Sequence, residues 1–174
     1  MNDNYFYSIT KYNPKYRNIS GGYERDEWTE VTNIGQKYHG KKFTKREYLK
    51  IERRYLIVIE LLLSGFNINN ITLRELRKSK NYIFRKDILP FAEDDIKLYK
   101  RLKNNQDFKL TKQESLIFSK LILRNELKGE LDCQKFTITF GMDFYMYYES
   151  SKYPLNEDFI KEIHDVGLFV DQIN

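Results

Sequence analysis

A single α+β domain spanning residues 1–174, mostly helical with a small antiparallel sheet, is the fold this sequence predicts, and three observations predict it. Thr44/Glu47, Thr72/Glu75 and Thr111/Glu114 repeat the spacing of a capping box, in which the two side chains satisfy each other's backbone amides at a helix start. Apolar residues follow each box at helical intervals. Late in the chain the texture changes, and from Phe136 to Tyr148 every second residue is apolar, which is the period of a strand.

In chain order, YFYSIT reads as an inner strand ending before Asn13-Pro14, because both of its alternating faces carry bulk. Ser20-Gly21-Gly22 marks a turn, and Thr32 or Asn33 is placed to cap a short helical turn reaching Tyr38. The stretch TKREYLKIERRYLIVIELLLSG, residues 44–65, is the longest element, with Thr44 as its cap and Gly65 expected as a left-handed C-cap. Its second half is apolar nearly all round, so it needs cover on more than one side and organises the rest. Thr72 is expected to open a helix of about two turns that buries Leu73 and Leu76. Beyond Pro90, AEDDIKLYKRLKNN has acids first and bases last, the order a helix dipole favours. The third box opens a helix over 112–128 with Gly129 as its C-cap. The run from 136 to 148 is one strand with a bulge at Gly141–Asp143, or two strands joined there by a tight turn. Asn156 caps a last helix to about Val166, Gly167 ends it, and LFVDQI is expected at a sheet edge.

Composition excludes more than it assigns. One cysteine, Cys133, forms no internal disulfide, and with only His39 and His164 the chain is poor in soft metal ligands, so no cofactor or metal is expected. MNDNYFYSITKY lacks the basic-then-apolar pattern of a secretion signal, and no apolar run approaches the roughly 20 residues that span a bilayer. A cytoplasmic protein without a membrane partner is expected. The net charge of +5 divides unevenly: cut after residues 43 and 104, the segments carry +2, +7 and −4. Gly21-Gly22 lacks the strand–helix context of a phosphate-binding loop. The histidines, Cys133, Asp94-Asp95 and the Asp143/Glu149 pair all have plain structural readings: surface imidazoles, a packed thiol, dipole matching and a solvated strand face. No catalytic constellation emerges, and an enzyme is not expected.

Two stretches suggest binding. Arg74, Arg77, Lys78, Lys80, Arg85 and Lys86, with Tyr82 and Phe84 between them, would suit a nucleic-acid accessory protein acting through residues 74–86. A solvated helix face is preferred there because acids lie close by, so nucleic acid is the alternative partner and not the first. Trp28 among Tyr12, Tyr16, Tyr23, Asp26 and Glu27 is the other, since tryptophan and tyrosine dominate interfaces; the same cluster reads equally as a plug for the end of the core. Asp143, Tyr145 and Tyr147, on the exposed side of the late strand pattern, join it as candidate partner-binding residues.

Taken together, YFYSITKYNPKYRN, DEWTEVTNIG, FTKREYLKIERRYL, FTITFGMDFYMYYES and GLFVDQI resemble a family of small bacterial immunity proteins that accompany contact-dependent growth inhibition and other polymorphic toxin systems. The resemblance covers roughly the first 60 and last 40 residues and is carried by structural words, not catalytic signatures. It implies a cytoplasmic protein that binds one cognate toxin domain, often a nuclease and here a ribonuclease first of all, and covers its active site. No functional residue carries over from it, because such interfaces differ from pair to pair. Immunity proteins against basic nucleases are commonly acidic, and this chain is basic. Either the toxin presents an acidic surface, or the acidic last third makes the contact.

Overall fold

The computed structural model describes residues 4–77, 88–104 and 108–173. The chain opens with β1 (Tyr5–Thr10), two 3-10 turns at Pro14–Tyr16 and Val31–Asn33, and a short hairpin of β2 (Lys37–Tyr38) and β3 (Lys41–Lys42). There follow α1 (Lys45–Gly65), β4 (Ile71–Arg77), α2 (Glu93–Asn104), β5 (Lys109–Leu110), α3 (Lys112–Leu123), β6 (Lys128–Asp132), β7 (Thr137–Phe140), β8 (Tyr145–Ser150), α4 (Glu157–Val166) and β9 (Phe169–Gln172). Seven of the strands form one antiparallel sheet in the order β5-β4-β6-β7-β8-β1-β9. An α+β fold fits, but a mostly helical domain with a small sheet does not: 39% of the described residues are helical and 25% are in strands.

The missed strands explain the difference. Thr72 and Glu75 have capping-box spacing, yet Thr72 and Leu73 pair with Asp132 and Leu131 of β6, and Thr72 also pairs with Lys109 of β5. Glu75 has a φ of 51° where the register with β6 shifts, which is bulge geometry and not a first helical turn. The helix from Thr111 stops at Leu123; Asn125 takes the left-handed conformation, and Gly129 lies inside β6. A Cβ at Gly129 would stand 3.0 Å from the Phe118 ring and 3.2 Å from the Arg74 carbonyl oxygen, so close strand packing and not helix termination calls for glycine there. Near residue 33 the helical turn is Val31–Asn33 only; Asn33 closes it, its side chain accepting from the Thr29 and Glu30 amides.

The other elements form where their sequences place them. Thr44 and Thr111 each complete a capping box: Glu47 N–H donates to Thr44 Oγ1 at 3.2 Å, and Thr44 N–H to Glu47 Oε2 at 2.8 Å. β7 and β8 form a hairpin, the tight-turn alternative of the late pattern. Asn156 caps α4, Gly167 ends it at a φ of 92°, and β9 takes the edge beside β1.

One face of the sheet carries Leu73, Leu131, Ile138, Tyr148 and Tyr7 in register, with Met146 and Ile9 in the next row, all buried. α1 lies on this face, its Tyr48, Tyr55, Val58, Ile59, Leu62 and Leu63 merging with the strand residues into one core. Two tyrosines fix its position: Tyr48 OH donates to the Leu123 carbonyl at 2.8 Å, and Tyr55 OH donates to the Phe144 carbonyl while accepting from the Lys11 amide at 2.8 Å. α3 packs beside α1, α2 against α3, and α4 covers the end of α1. The alternate strand residues point to the opposite face of the sheet.

Candidate partner-binding face

On that second face the register aligns Arg74, Glu130, Thr139, Tyr147, Ser8 and Asp171 in one row across six strands, with Glu149 and Phe6 in the neighbouring row. Alternation along β8 puts Tyr145, Tyr147 and Glu149 together on it, since Met146, Tyr148 and Ser150 point into the core. The loop after β1 then folds back over one corner. Asn13 caps the turn at Pro14–Tyr16, Asn18 Oδ1 accepts from the Gly22 amide at 2.8 Å, and Arg17 bridges to Tyr23, so the expected Ser20-Gly21-Gly22 turn closes a small antiparallel loop. Arg17 Nη1 ties this loop to β9 through Asp171 at 2.6 Å.

The result is a ladder of six rings. Phe6 stacks on Tyr147 at 5.5 Å, Tyr147 on Tyr145 at 6.2 Å, and Tyr145 on Tyr12 at 5.6 Å; Tyr12 meets Tyr23 at 4.8 Å, and Tyr23 meets Tyr16 edge-on at 6.5 Å. The Arg25 guanidinium closes the row 3.3 Å above the Tyr16 ring. Tyr12 is buried and serves as the joint between sheet and loop, whereas Tyr16, Tyr23, Tyr145 and Tyr147 are half-exposed. Burial raises the Tyr12, Tyr23 and Tyr147 hydroxyls above their ordinary value, so at neutral pH they are uncharged donors.

The remaining candidates lie around this ladder. Glu27 accepts from Tyr23 OH at 2.8 Å and from Lys11 Nζ at 3.2 Å. Lys11 Nζ sits 4.0 Å from the Tyr12 ring centroid and 4.3 Å from that of Trp28, and burial pulls its pKa down to about 8 against the attraction of Glu27. Trp28 is not on the ladder: it stacks on Phe43 at 4.3 Å and meets Tyr48 and Phe144, packed against the core. Asp26 is exposed, and Asp143 is exposed on the β7–β8 turn at a φ of 58°.

Sequence reasoning missed Phe6, Arg17, Arg25 and Asp171. Phe6 shares a face with Ser8 and Thr10 and was legible from β1's alternation; Arg17 and Asp171 meet only through the fold. Of the basic stretch 74–86, Arg74 pairs with Asp132 and Arg77 with Glu75 at 3.5 Å. Lys78, Lys80, Tyr82, Phe84, Arg85 and Lys86 lie outside the described residues. Cys133 is buried, and burial pushes its thiol up to about 12, the opposite of what activates a nucleophile. Among the described residues no group of three or more His, Cys, Asp or Glu side chains is placed to hold a metal, and no helix is long and apolar enough to cross a membrane. Compared with protein-family models, curated proteins and solved structures, the chain matches none.

Proposed function

We propose that this chain is an immunity protein that binds a cognate bacterial toxin domain, above all a ribonuclease of a contact-dependent growth inhibition system, and neutralises it by covering its active site. The observation that carries this reading is the ring ladder, in which candidate residues from opposite ends of the chain form one continuous row of ring contacts, half-exposed on either side of buried Tyr12, with acids beside it. Glu149 shares a face with Tyr147, two residues along β8, and Glu130 lies in Tyr147's row. A ribonuclease cleft must attract phosphates and stack bases, so tyrosine rings beside carboxylates offer it the same chemistry. Tyrosines also place large contact area at low conformational cost, and here stacking already holds them. The acids, Glu130 and Glu149, come from the last third of the chain, so a chain that is basic as a whole still places carboxylates beside the rings. The family resemblance supplies the identity of the partner.

The test uses the toxin domain encoded beside this chain's own gene and follows RNA cleavage with and without the purified chain. Wild-type chain abolishes cleavage, and Tyr147→Ala and Glu149→Lys each weaken inhibition about tenfold or more, the range of an interface hot spot. Undiminished inhibition by both variants removes the docking face, and a toxin domain that cuts RNA equally well in the presence of wild-type chain removes the function.

A further inference from the structure

We propose that the groove between the β2–β3 hairpin and the first half of α1 is a second docking surface, taking an acidic segment of a partner protein with one apolar side chain seated against Trp28 and Ile51. Residues 37–54 hold eight lysines and arginines against two acids, Glu47 and Glu52. Glu47, hydrogen-bonded to the Thr44 amide and hydroxyl, lines the groove and offsets one of its charges, and Glu52 is buried in an ion pair with Arg124, so the lining keeps four cations, Lys41, Lys42, Lys50 and Arg54, against one acid. Lys41, Lys42 and Lys50 are exposed and make no ion pair among the described residues. Like charges gathered this way repel one another, and an acidic counter-surface relieves the repulsion.

The same lysines rim a cavity of about 340 Å³ whose apolar walls are Trp28, Phe43 and Ile51. A basic groove with aromatic walls would also suit single-stranded nucleic acid, and the ring geometry decides between the two. Phe43 covers one face of Trp28 at 4.3 Å, and Lys11 Nζ stands over its ring 4.3 Å from the centroid, so both faces are occupied. Phe43 itself is 4% exposed. Trp28 and Phe43 therefore offer a base no free face, and Tyr38, half-buried and edge-on to Phe43 at 6.4 Å, is the single ring left in the lining, where single-strand sites line up several; an aliphatic or phenyl side chain packs well beside such rings. An acidic polypeptide is the better fit.

Trp28 is the only tryptophan in the chain and lines this groove, so its emission is a probe of occupancy there. The probe is a synthetic peptide of about twelve residues, glutamates and aspartates around one central leucine, titrated at low salt. A saturable change in Trp28 emission is expected. The K41E/K50E double variant weakens binding about tenfold or more, and replacing the peptide's leucine by serine weakens it severalfold. Equal binding by K41E/K50E, or by the serine peptide, overturns the proposal, the latter because bare charge attraction then accounts for everything. Tighter binding by an oligothymidylate of matched charge assigns the groove to nucleic acid instead. The proposal does not rest on the ring ladder: Tyr147→Ala leaves peptide binding unchanged, and loss of binding in that variant counts against a separate surface.

Discussion

Glu52 and Arg124 are sealed inside the protein, with side chains 6% and 7% exposed. Arg124 donates from Nε and Nη2 to the two carboxylate oxygens of Glu52, each at 2.7 Å, and from Nη1 to the Pro90 carbonyl at 2.7 Å. This one guanidinium joins α1, the end of α3 and the approach to α2. Burying two charges costs nearly as much as their attraction returns, so the pair is worth little compared with apolar residues of the same size, whereas half of it is costly. Arg124→Met alone therefore leaves Glu52 buried without its counter-charge and lowers unfolding free energy by about 3–5 kcal/mol. Glu52→Leu combined with Arg124→Met should cost much less. Urea unfolding of both variants checks this, and a double variant as unstable as the single one would contradict it.

Glycines show most clearly what sequence reveals about an element and what it hides. Gly65 stands where a helix ends, which suggests a left-handed cap, yet it is the last helical residue of α1, and the left-handed position is Asn67. The reason for glycine lies in another element: a Cβ on Gly65 would come 2.4 Å from the Phe159 ring of α4, which is itself held by stacking on Phe66 at 4.9 Å. Alanine favours a helix interior by about 1 kcal/mol, but displacing a stacked ring costs typically 1–3 kcal/mol. Gly65→Ala is thus expected to destabilise by about 0–2 kcal/mol, and adding Phe159→Leu should recover part of the loss. A Gly65→Ala protein with a higher melting temperature would show that Phe159 moves aside freely. Capping boxes and period-2 alternation were legible wherever the next contacts were local, as at Thr44, Thr111 and Asn156. The box at Thr72 misled because its spacing says nothing about pairing with Lys109 and Asp132. The ring ladder was half legible: composition marked Tyr12, Tyr16, Tyr23, Tyr145 and Tyr147, while their stacking needed β1 and β8 to pair. The basic groove escaped because dividing the charges after residue 43 separated Lys41 and Lys42 from Lys50 and Arg54, four residues that one cavity unites.

At the scale of the whole molecule, packing this many tyrosines ties stability to pH on the alkaline side. Burial raises the hydroxyl pKa of Tyr7, Tyr12, Tyr23, Tyr38, Tyr48, Tyr55, Tyr99, Tyr147 and Tyr148 above the ordinary 10.0. Above that pH the unfolded chain releases protons that the folded chain keeps, so their contribution, complete below pH 10, is lost as pH rises through the folded values. Cys133, moved from 9.0 up to about 12, acts with the same sign from pH 9 upward. Lys11 acts oppositely: with its pKa pulled from 10.5 to about 8, the unfolded chain binds the extra proton between those values, and stability rises across that window. One group stabilises with rising pH and ten destabilise, but they do so in sequence, Lys11 first. The urea midpoint should therefore hold or climb slightly from about pH 7.5 to 9 and fall steeply above about pH 10. Lys11→Met should flatten the early rise and leave the late fall intact. A midpoint that keeps climbing beyond pH 10.5 would mean that the tyrosines titrate as freely in the folded chain as in the unfolded one, and that the packing of the ring ladder and the core tyrosines around α1 does not hold in solution.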